Sequence, residues 1–450
     1  MSARRAVKTV AIGAVEAVDG VVVAVGIGAN TAGAQAPTLQ RTDLPNGLTV
    51  LSESVPGARS VAFGAWVRAA TLHERPEQMG VSHLLEHMVF KGTRTRSAQQ
   101  IALALETLGG SLDAYTEREH TSYQARVLDE HLPEAASVIG ELIFEPLLRQ
   151  ADLALERKVI LEEISMVDDT PDDIIFDVHN RAVWGDHPHG FPILGTRATV
   201  KALSVADLHD LHERAYHPGR LVVAASGRVE HEQLLEALQT AGWTTRERGD
   251  MSPFPLDPVE AAGPHAEHVS RKDIAQTHIV LGGQGIAFGD SRRYAFALLD
   301  MLIGGGMSSR LFQKVREELG LAYSVQTFSS SYADTGAHGV YLASAPDTAQ
   351  EALDAVRDVL RDVAVNGLSE ADLVAGKRQL RGQLVLSMEG VSSRMYRAAL
   401  TALYGEPYRS IDELKALVDA IDLEQVRDVA RDFFDPDRQI LVSLGPKAVR

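Results

Sequence analysis

The stretch His83-Leu84-Leu85-Glu86-His87 is the starting point for interpreting this chain of 450 residues. Apolar residues flank it on both sides, which predicts a buried helix. Residues four apart share one face of a helix, so the imidazoles of His83 and His87 can point at one metal ion. Glu86 lies one turn after His83, where its carboxylate can accept a proton from a water at that ion. We predict that His83 and His87 bind zinc and that Glu86 is a catalytic base.

The same motif has a simpler explanation, which is an amphipathic helix with two histidines in ordinary hydrogen bonds. A third ligand distinguishes the two interpretations, because a catalytic zinc site has three protein ligands and one open position. The chain has no cysteine, so disulfide bonds are excluded and any metal has to use His and carboxylate ligands. A purely structural zinc site fits poorly, because such sites are closed by four ligands that typically include cysteine.

The composition excludes some classes of protein. A hydrophobic fraction of 45% and a charged fraction of 23% are typical of a folded globular protein. The net charge of -17 argues against a nucleic-acid-binding protein, which would carry a basic surface, and it suits the attraction of basic peptides. No stretch is long and apolar enough to predict a membrane span.

Residues 1–39 are predicted to be an N-terminal extension that is poorly ordered. Basic residues between positions 4 and 8 resemble the start of a signal peptide, but Glu16 and Asp19 interrupt the apolar segment that should follow. We therefore predict a cytoplasmic protein. Export directed by this segment stays open as the alternative, as does a misassigned start of the chain.

An internal repeat divides the rest of the chain into two halves. A helix, a proline turn and a short apolar strand occur twice at a constant offset. Pro218 and Pro436 mark the two turns (436 − 218 = 218), and Gly227 and Gly445 close the two strands (445 − 227 = 218). We predict two homologous lobes that arose by internal duplication.

Each lobe alternates strands with long helices, which predicts an α+β fold with a mixed sheet covered by helices. The boundaries are a first lobe over residues 40–248, a linker rich in proline over 249–264, and a second lobe over 265–450. The segments with the clearest periodicity are strands at 60–67, 122–127, 278–281 and 339–342 and helices at 98–108, 151–167, 294–302 and 350–363.

The repeat also provides an internal comparison for the metal motif. Alignment of the halves places Ala297-Leu298-Leu299-Asp300-Met301 opposite the motif of the first lobe, so both histidines are replaced by apolar residues. If the histidines only packed in a core, nothing would require the lobes to differ in this way. This comparison favours a metal site in the first lobe alone.

A second motif carries a family resemblance. The run from Glu156 to Met166 is rich in Glu and predicted to be helical. Together with the inverted His-x-x-Glu-His motif, it resembles the pitrilysin-like zinc peptidases, or inverzincins, and in particular the branch of the mitochondrial processing peptidase and its bacterial relatives. The resemblance covers residues 40–446. It implies one zinc ion per chain, with Glu163 as the third ligand at the family's spacing from His87 (163 − 87 = 76).

The same resemblance implies that Glu156 corresponds to a carboxylate that does not bind the metal itself but orients one of the histidine ligands. Glu162 competes with Glu163 for the ligand position, and we favour Glu163 because it lies two helical turns after Glu156 on the same face. In the second lobe, the aligned segment from Leu384 to Met388 is apolar at the ligand position.

Two further matches concern the substrate. The family carries an Arg and a Tyr seven residues apart, which the C-terminal lobe brings to a substrate at the zinc, and Arg316 and Tyr323 fit that spacing (323 − 316 = 7). The stretch that includes Asp113 and Ala114 corresponds to an edge strand on which substrate is laid as an added strand. It departs from the family pattern, because Asp113 stands where Asn is typical. The lobes are expected to close around substrate as a clam shell.

The resemblance implies a zinc endopeptidase that cleaves short or unfolded polypeptides, as a monomer, a homodimer or a pair with a homologous subunit. The alternative is a structural subunit without activity, because the same fold serves as scaffold in respiratory complexes and as the inactive partner in processing peptidases. Such relatives usually have broken zinc motifs, whereas this chain keeps every ligand and Glu86.

Overall fold

Residues 39–450, which the computed structural model describes, form two β-sheets, each covered by helices. The strands are β1 (Leu39–Asp43), β2 (Thr49–Ser54), β3 (Ser60–Val67), β4 (Ser111–Thr116), β5 (Thr121–Leu128), β6 (Leu221–Gly227), β7 (Ala266–Ser270), β8 (Thr277–Gly285), β9 (Ala322–Ser331), β10 (Gly336–Ser344) and β11 (Ile440–Gly445). The helices are α1 (Val81–Val89), α2 (Ala98–Glu106), α3 (Leu132–Phe144), α4 (Gln150–Asp168), α5 (Pro171–Trp184), α6 (Arg197–Ala202), α7 (Val205–Ala215), α8 (His231–Thr240), α9 (Arg293–Gly304), α10 (Ala349–Asn366), α11 (Glu370–Ser387), α12 (Val391–Leu403), α13 (Ile411–Asp419) and α14 (Leu423–Phe433).

The two sheets have the same connectivity. The first has the strand order β1-β2-β6-β3-β5-β4 and the second has β7-β11-β8-β10-β9. Each contains a single parallel pair, β2 with β6 and β7 with β11, while all other neighbours are antiparallel. The strand β1 is an addition to the first sheet. The predicted α+β class and the two homologous lobes are therefore confirmed.

The local patterns in the sequence correspond to elements of the fold. Asn46 and Gly47 form the turn between β1 and β2, where Gly47 has a φ of 87° that favours glycine. In the repeated segment, α7 and α14 are each followed by a helical turn of three residues, Pro218–Arg220 and Pro436–Arg438, and then by the interior strands β6 and β11. The residues of β3 are almost all buried, which is the pattern of a strand covered on both faces.

The two faces of the first sheet are covered by different halves of the chain. In β3, Val61 and Phe63 face the core that the first lobe's own helices complete. Ala62 and Trp66, on the opposite face, pack against Met395 and other apolar residues of α12. Because side chains alternate along a strand, one strand contributes to both cores.

The second sheet is covered in the reciprocal way. Ile175 and Trp184 of α5 pack with Val280, Ile440 and other residues of β8, β10 and β11. The helices α5 and α12 begin 220 positions apart (391 − 171 = 220) and occupy equivalent places in the repeat. Each lobe therefore contributes one helix to the core of the other lobe. The predicted boundaries, 40–248 and 265–450, assign each helix to the lobe of its sequence neighbours and so do not show this exchange.

Polar contacts reinforce this exchange of helices. The guanidinium of Arg394 in α12 pairs with the buried carboxylate of Glu53 in β2 at 2.9 Å. Arg68, which follows β3, donates hydrogen bonds to the carbonyl oxygens of Ala402 and Leu403 at the end of α12. The carboxylate of Glu119, between β4 and β5, accepts a hydrogen bond from the backbone N–H of Ala333, between β9 and β10.

The predicted linker, residues 249–264, contains no helix or strand. Its Phe254 belongs to the core of the first lobe, and its Val259 and Ala261 pack against the core between α5 and the second sheet. The ring of Phe254 in this segment is buried beneath the guanidinium groups of Arg214 and Arg220. The prediction that residues 1–39 are a poorly ordered extension concerns residues that, apart from Leu39, lie outside the described part of the chain. Among residues 39–450, none of the helices has the length and apolar character needed to cross a bilayer.

Candidate metal centre

The helix that carries the motif begins at a glycine and is capped by a buried carboxylate. Gly80 has a φ of 88°, and a Cβ atom there would lie 2.6 Å from the carbonyl oxygen of Leu194, so this position requires glycine. The carboxylate of Glu74 accepts hydrogen bonds from the backbone N–H groups of Gly80 (2.7 Å) and Ser82 (2.8 Å). Burial raises the pKa of Glu74 to about 7, although these two hydrogen bonds act in the opposite direction. The cap fixes the first turn of α1 immediately before His83.

Three side chains converge between α1 and α4. The Nε2 atoms of His83 and His87 lie 3.9 and 3.8 Å from Oε2 of Glu163. One ligand atom from each residue lies within 4.8 Å of the others, and within residues 39–450 this is the sole group of three His or acidic residues arranged in this way. Two histidines and one carboxylate are a ligand set of catalytic zinc sites.

The hydrogen bonding of these residues indicates whether they fit a metal ion, because metal ligands need free lone pairs. Both ring nitrogens of His83 and Oε2 of Glu163 are buried and have no hydrogen-bond partner among the described residues. Buried polar atoms normally have hydrogen-bond partners, so this cluster of orphaned polar atoms indicates a missing partner. Ligand atoms about 2.1 Å from a tetrahedral zinc lie roughly 3.4 Å apart. The two distances from the histidines to Glu163, 3.9 and 3.8 Å, are within about half an ångström of that value. The donor set therefore fits zinc.

Glu86 is close to this group and has a different environment. Its side chain is buried, and its Oε2 atom accepts a hydrogen bond of 2.7 Å from the hydroxyl of Thr116 at the end of β4. Burial raises the pKa of Glu86 to about 7, while the Thr116 hydroxyl and the nearby His87 lower it. A carboxyl group with a pKa near neutrality is suited to accept and return a proton.

Behind the site, Glu156 contacts the ring of His87. Its Oε2 atom accepts a hydrogen bond of 3.2 Å from Nδ1 of His87, which leaves Nε2 directed to the side of Glu163. Its other oxygen, Oε1, lies 2.8 Å from Nζ of Lys91. Burial of Glu156 would raise its pKa, but the contacts with His87 and Lys91 outweigh burial and lower it. This is the arrangement by which a carboxylate orients a histidine ligand.

The two adjacent glutamates of α4 have different surroundings. Glu163 is half-buried and belongs to the group of three, whereas Glu162 is exposed to solvent and lies outside it. Burial raises the pKa of Glu163, and the charge of His87 lowers it. Helical geometry requires neighbouring residues to point about 100° apart, so one of the pair has to face away from His83.

The second lobe contains a related pocket with different chemistry. The buried positions of α11 follow those of α4 at a constant offset, as with Leu153 and Leu373 (373 − 153 = 220) or Ile164 and Leu384 (384 − 164 = 220). This offset places Gln383 opposite Glu163. The prediction of an apolar residue at this position was wrong, because the alignment inferred from the sequence is shifted by two residues along the helix. Gln383 still does not create a metal site, since no group of His and acidic residues surrounds it among the described residues.

Arg316 and Tyr323 lie together in the second lobe. The guanidinium of Arg316, in a π-helical segment (Phe312–Glu318), stacks over the ring of Tyr323 at 4.2 Å from its centroid. The ring of Tyr323 is 75% exposed at the start of β9. The two residues line a cavity of about 450 Å³ with Asp300 and Gln383. The described contacts do not join them to the three-residue group of the first lobe.

Asp113 and Ala114 lie in β4, at the edge of the first sheet. The strand β4 pairs with β5 on one side and has no strand neighbour on the other among the described residues. Asp113 is exposed and Ala114 is half-buried. An edge strand has unpaired backbone N–H and C=O groups that can pair with an extended peptide. Thr116, in the same strand, connects this edge to Glu86.

Sequence reasoning missed the roles of Glu74 and Thr116. Glu74 lies nine residues before His83, in a segment without periodicity, so no local signal connects it to the start of α1. Thr116 is in the stretch that was interpreted as the substrate strand. The spacing between Asp113 and Thr116 was a usable signal, because residues three apart in a strand point to opposite faces of the sheet. If the charged Asp113 faces solvent, the side chain of Thr116 has to face the core.

Comparison with known proteins identifies similar families. Residues 49–197 match the model of a family described as insulinase (peptidase family M16), and residues 202–380 match that of the peptidase M16 inactive domain. An uncharacterized zinc protease of Streptomyces coelicolor is 39% identical over 415 residues, which cover 91% of this chain and 90% of the relative. An uncharacterized zinc protease of Bacillus subtilis, YmxG, is 35% identical over 400 residues, with 89% and 96% covered.

Two solved structures have the same fold. A peptidase M16 inactive domain from Pseudomonas fluorescens superposes with a TM-score of 0.82 at 21% identity, covering 92% of this chain and 99% of that one. A protease from Helicobacter pylori superposes with a TM-score of 0.85 at 19% identity, covering 91% and 99%. At these identities, the similarity concerns the two-lobe fold.

Proposed function

The chain belongs to the M16 peptidase family, whose pitrilysin-like and insulinase-like members include relatives named zinc proteases, and from this premise we propose that it is a zinc-dependent endopeptidase. The proposal includes one zinc ion per chain and, as substrates, short or unfolded polypeptides. The proposal extends to membership of the processing-peptidase branch of the family.

The observation that carries the proposal is the complete and buried set of groups in the first lobe. His83, His87 and Glu163 converge on one point, and buried polar atoms of His83 and Glu163 have no partner among the described residues, which a metal ion would supply. Glu86 is adjacent on the same helix but is held by Thr116 and is not part of the ligand group. A structural subunit without activity would not need a carboxyl group poised beside an open metal position.

In the proposed mechanism, His83, His87 and Glu163 hold the ion and the other residues handle protons and substrate. Bound zinc would polarise the scissile carbonyl and lower the pKa of a water to about 7. Glu86 accepts the proton of the attacking water and later returns it to the leaving amine. Thr116 keeps the carboxylate of Glu86 in one orientation through its hydroxyl. The free edge of β4, which includes Asp113 and Ala114, pairs with the peptide backbone.

Arg316 and Tyr323 are proposed to contact the peptide or the developing oxyanion from the second lobe. The cavity that they line and the group of metal ligands have no residue in common among residues 39–450. A common role therefore requires a peptide that reaches both sites, closure of the lobes, or a second chain. Pairing with another copy or with a homologous subunit is therefore part of the proposal. Closure would admit only short or unfolded polypeptides.

Replacing Arg316 with alanine or Tyr323 with phenylalanine is expected to lower kcat/KM for peptide cleavage by about 10²–10³-fold, the effect of removing one such donor. Zinc content and Tm should stay at the wild-type values, because neither residue is in the metal group or a core. Lys314→Ala is a matched control, since Lys314 lies in the same segment and its ammonium group forms an ion pair with the exposed Glu318. Unchanged kcat/KM in both variants would refute the assignment.

The experiment that tests the proposed function combines metal analysis with cleavage of a denatured peptide library. We expect one zinc per chain, internal cuts in the peptides, loss of cleavage after removal of zinc by a chelator, and recovery when zinc is added back. A chain that binds zinc tightly but cuts no peptide, alone or at high concentration, would favour the structural-subunit alternative. A chain that binds no zinc would refute the proposal.

A further inference from the structure

We propose that Lys91 is a positioning residue of the metal centre, which holds Glu156 against His87 and thereby sets the affinity of the site for zinc. The inference rests on the proposed function, because it assigns His87 to the metal. It concerns a residue outside the motif, two positions after the end of α1, whose side chain turns back towards α4.

The two oxygens of Glu156 are divided between two partners. Oε2 accepts the hydrogen bond from Nδ1 of His87 at 3.2 Å, and Oε1 lies 2.8 Å from Nζ of Lys91. A carboxylate held at both oxygens cannot rotate about its terminal bond without losing one contact. Lys91 therefore restricts Glu156 to the orientation in which it accepts the hydrogen bond from Nδ1–H of His87, and the opposite nitrogen of His87 is left for the metal.

The two histidines depend on this support to different degrees. His83 is 2% exposed and is fixed by the side chains packed around it, since neither of its ring nitrogens has a hydrogen-bond partner among the described residues. The side chain of His87 is 17% exposed and is less enclosed. Its orientation therefore depends more on the hydrogen bond to Glu156, and through Glu156 on Lys91.

Lys91 is itself anchored to the helix that carries Glu156. Its backbone carbonyl oxygen accepts a hydrogen bond of 2.8 Å from the guanidinium of Arg149, the residue before α4. Its backbone N–H donates to the carbonyl of Met88 in the last turn of α1. The segment after α1 is thus tied to both helices of the metal centre, and the ammonium group is delivered to Glu156 from a fixed backbone.

The burial of Glu156 distinguishes this ion pair from the many on the surface. The side chain of Lys91 is 34% exposed, but that of Glu156 is only 8% exposed. Exposed ion pairs contribute little, whereas removing one partner of a buried pair leaves a charge without compensation. Without the ammonium group, Glu156 is expected to rotate towards solvent, and this change weakens its hold on His87.

The test measures zinc affinity directly, by competition of the full-length metal-free protein with a chromogenic chelator. Lys91→Met, which keeps the length of the side chain but removes its charge, is expected to weaken zinc binding by about 10–100-fold, the usual effect of losing a partner behind a ligand. Lys91→Arg restores the charge and is expected to recover most of the affinity. Lys158→Met, at an exposed position of α4, is the matched control and should leave affinity unchanged.

A double-mutant cycle separates positioning from a general effect on the fold. If Lys91 acts through Glu156, adding Lys91→Met to Glu156→Gln should change zinc affinity by less than about 3-fold. An equal loss in both backgrounds, or wild-type affinity of Lys91→Met, would overturn the proposal. A wild-type chain that binds no zinc would overturn this inference and the proposed function together, whereas zinc binding unaffected by Lys91→Met would overturn this inference alone.

Discussion

Replacing Glu86 with glutamine lowers the turnover number for peptide cleavage by about 10²–10⁴-fold, if Glu86 is the general base. The amide cannot accept the proton of the attacking water, but its oxygen can still accept the hydrogen bond from Thr116. The variant should therefore fold normally. Zinc content is expected to stay at the wild-type level, because Glu86 is not one of the three grouped ligands. Single-turnover cleavage of a quenched peptide, together with metal analysis, measures both quantities.

The informative comparison for this variant is Thr116→Val. Removing the hydroxyl leaves Glu86 chemically intact but free to rotate, so a smaller loss of turnover is expected than for Glu86→Gln. Loss of zinc from Glu86→Gln with an unchanged Tm would mean that Glu86 is a ligand, and full activity would mean that another group is the base.

Replacing Glu163 with glutamine is expected to reduce zinc affinity by about 100-fold or more, because it removes a charged ligand and not merely a supporting contact. Glu162→Gln is the matched control, since it makes the same chemical change at the neighbouring, exposed position of α4. Its affinity should be close to that of the wild type. Glu156→Gln should fall between the two, at about 10–100-fold, because Glu156 contacts His87 and not the ion.

The ranking of these three variants tests the orientation of α4 as well as the ligand set. Chelator competition on the metal-free proteins gives the affinities, and circular dichroism checks that each variant has folded. If Glu162→Gln loses zinc and Glu163→Gln keeps it, α4 is rotated about its axis so that Glu162 and not Glu163 points at the metal. If all three bind as the wild type does, the ion is bound elsewhere.

Local regularities explain why much of the site was predictable. The spacing of His83 and His87 places both imidazoles on one face of any helix, whatever surrounds it. The same argument relates Glu156 to Glu163 across two turns of α4. The structure adds that the two helices bring these faces together, with Nε2 of each histidine within 3.9 Å of Glu163. Their roles as ligands stay predictions until zinc binding is measured.

Contacts between distant segments could not be predicted in the same way. The hydrogen bonds from Thr116 to Glu86 and from the start of α1 to Glu74 join segments with no common periodicity. The alignment of the lobes was wrong at Gln383, because apolar residues recur every three to four positions in both helices and a shift of two residues leaves the pattern similar. The buried positions of α4 and α11 decide the register.

The α+β class, the duplication into two lobes and the restriction of the metal motif to the first lobe can all be inferred from the amino-acid sequence. These properties follow from periodicity, turn residues and residue chemistry, which act over one element or one repeat. The exchange of α5 and α12 between the lobes, in contrast, is visible only in the three-dimensional packing of residues 39–450. This packing also places Arg316 and Tyr323 in a cavity of their own and Lys91 against Glu156. An apolar helix face specifies that it will be buried but not against which sheet, because the hydrophobic effect has no direction.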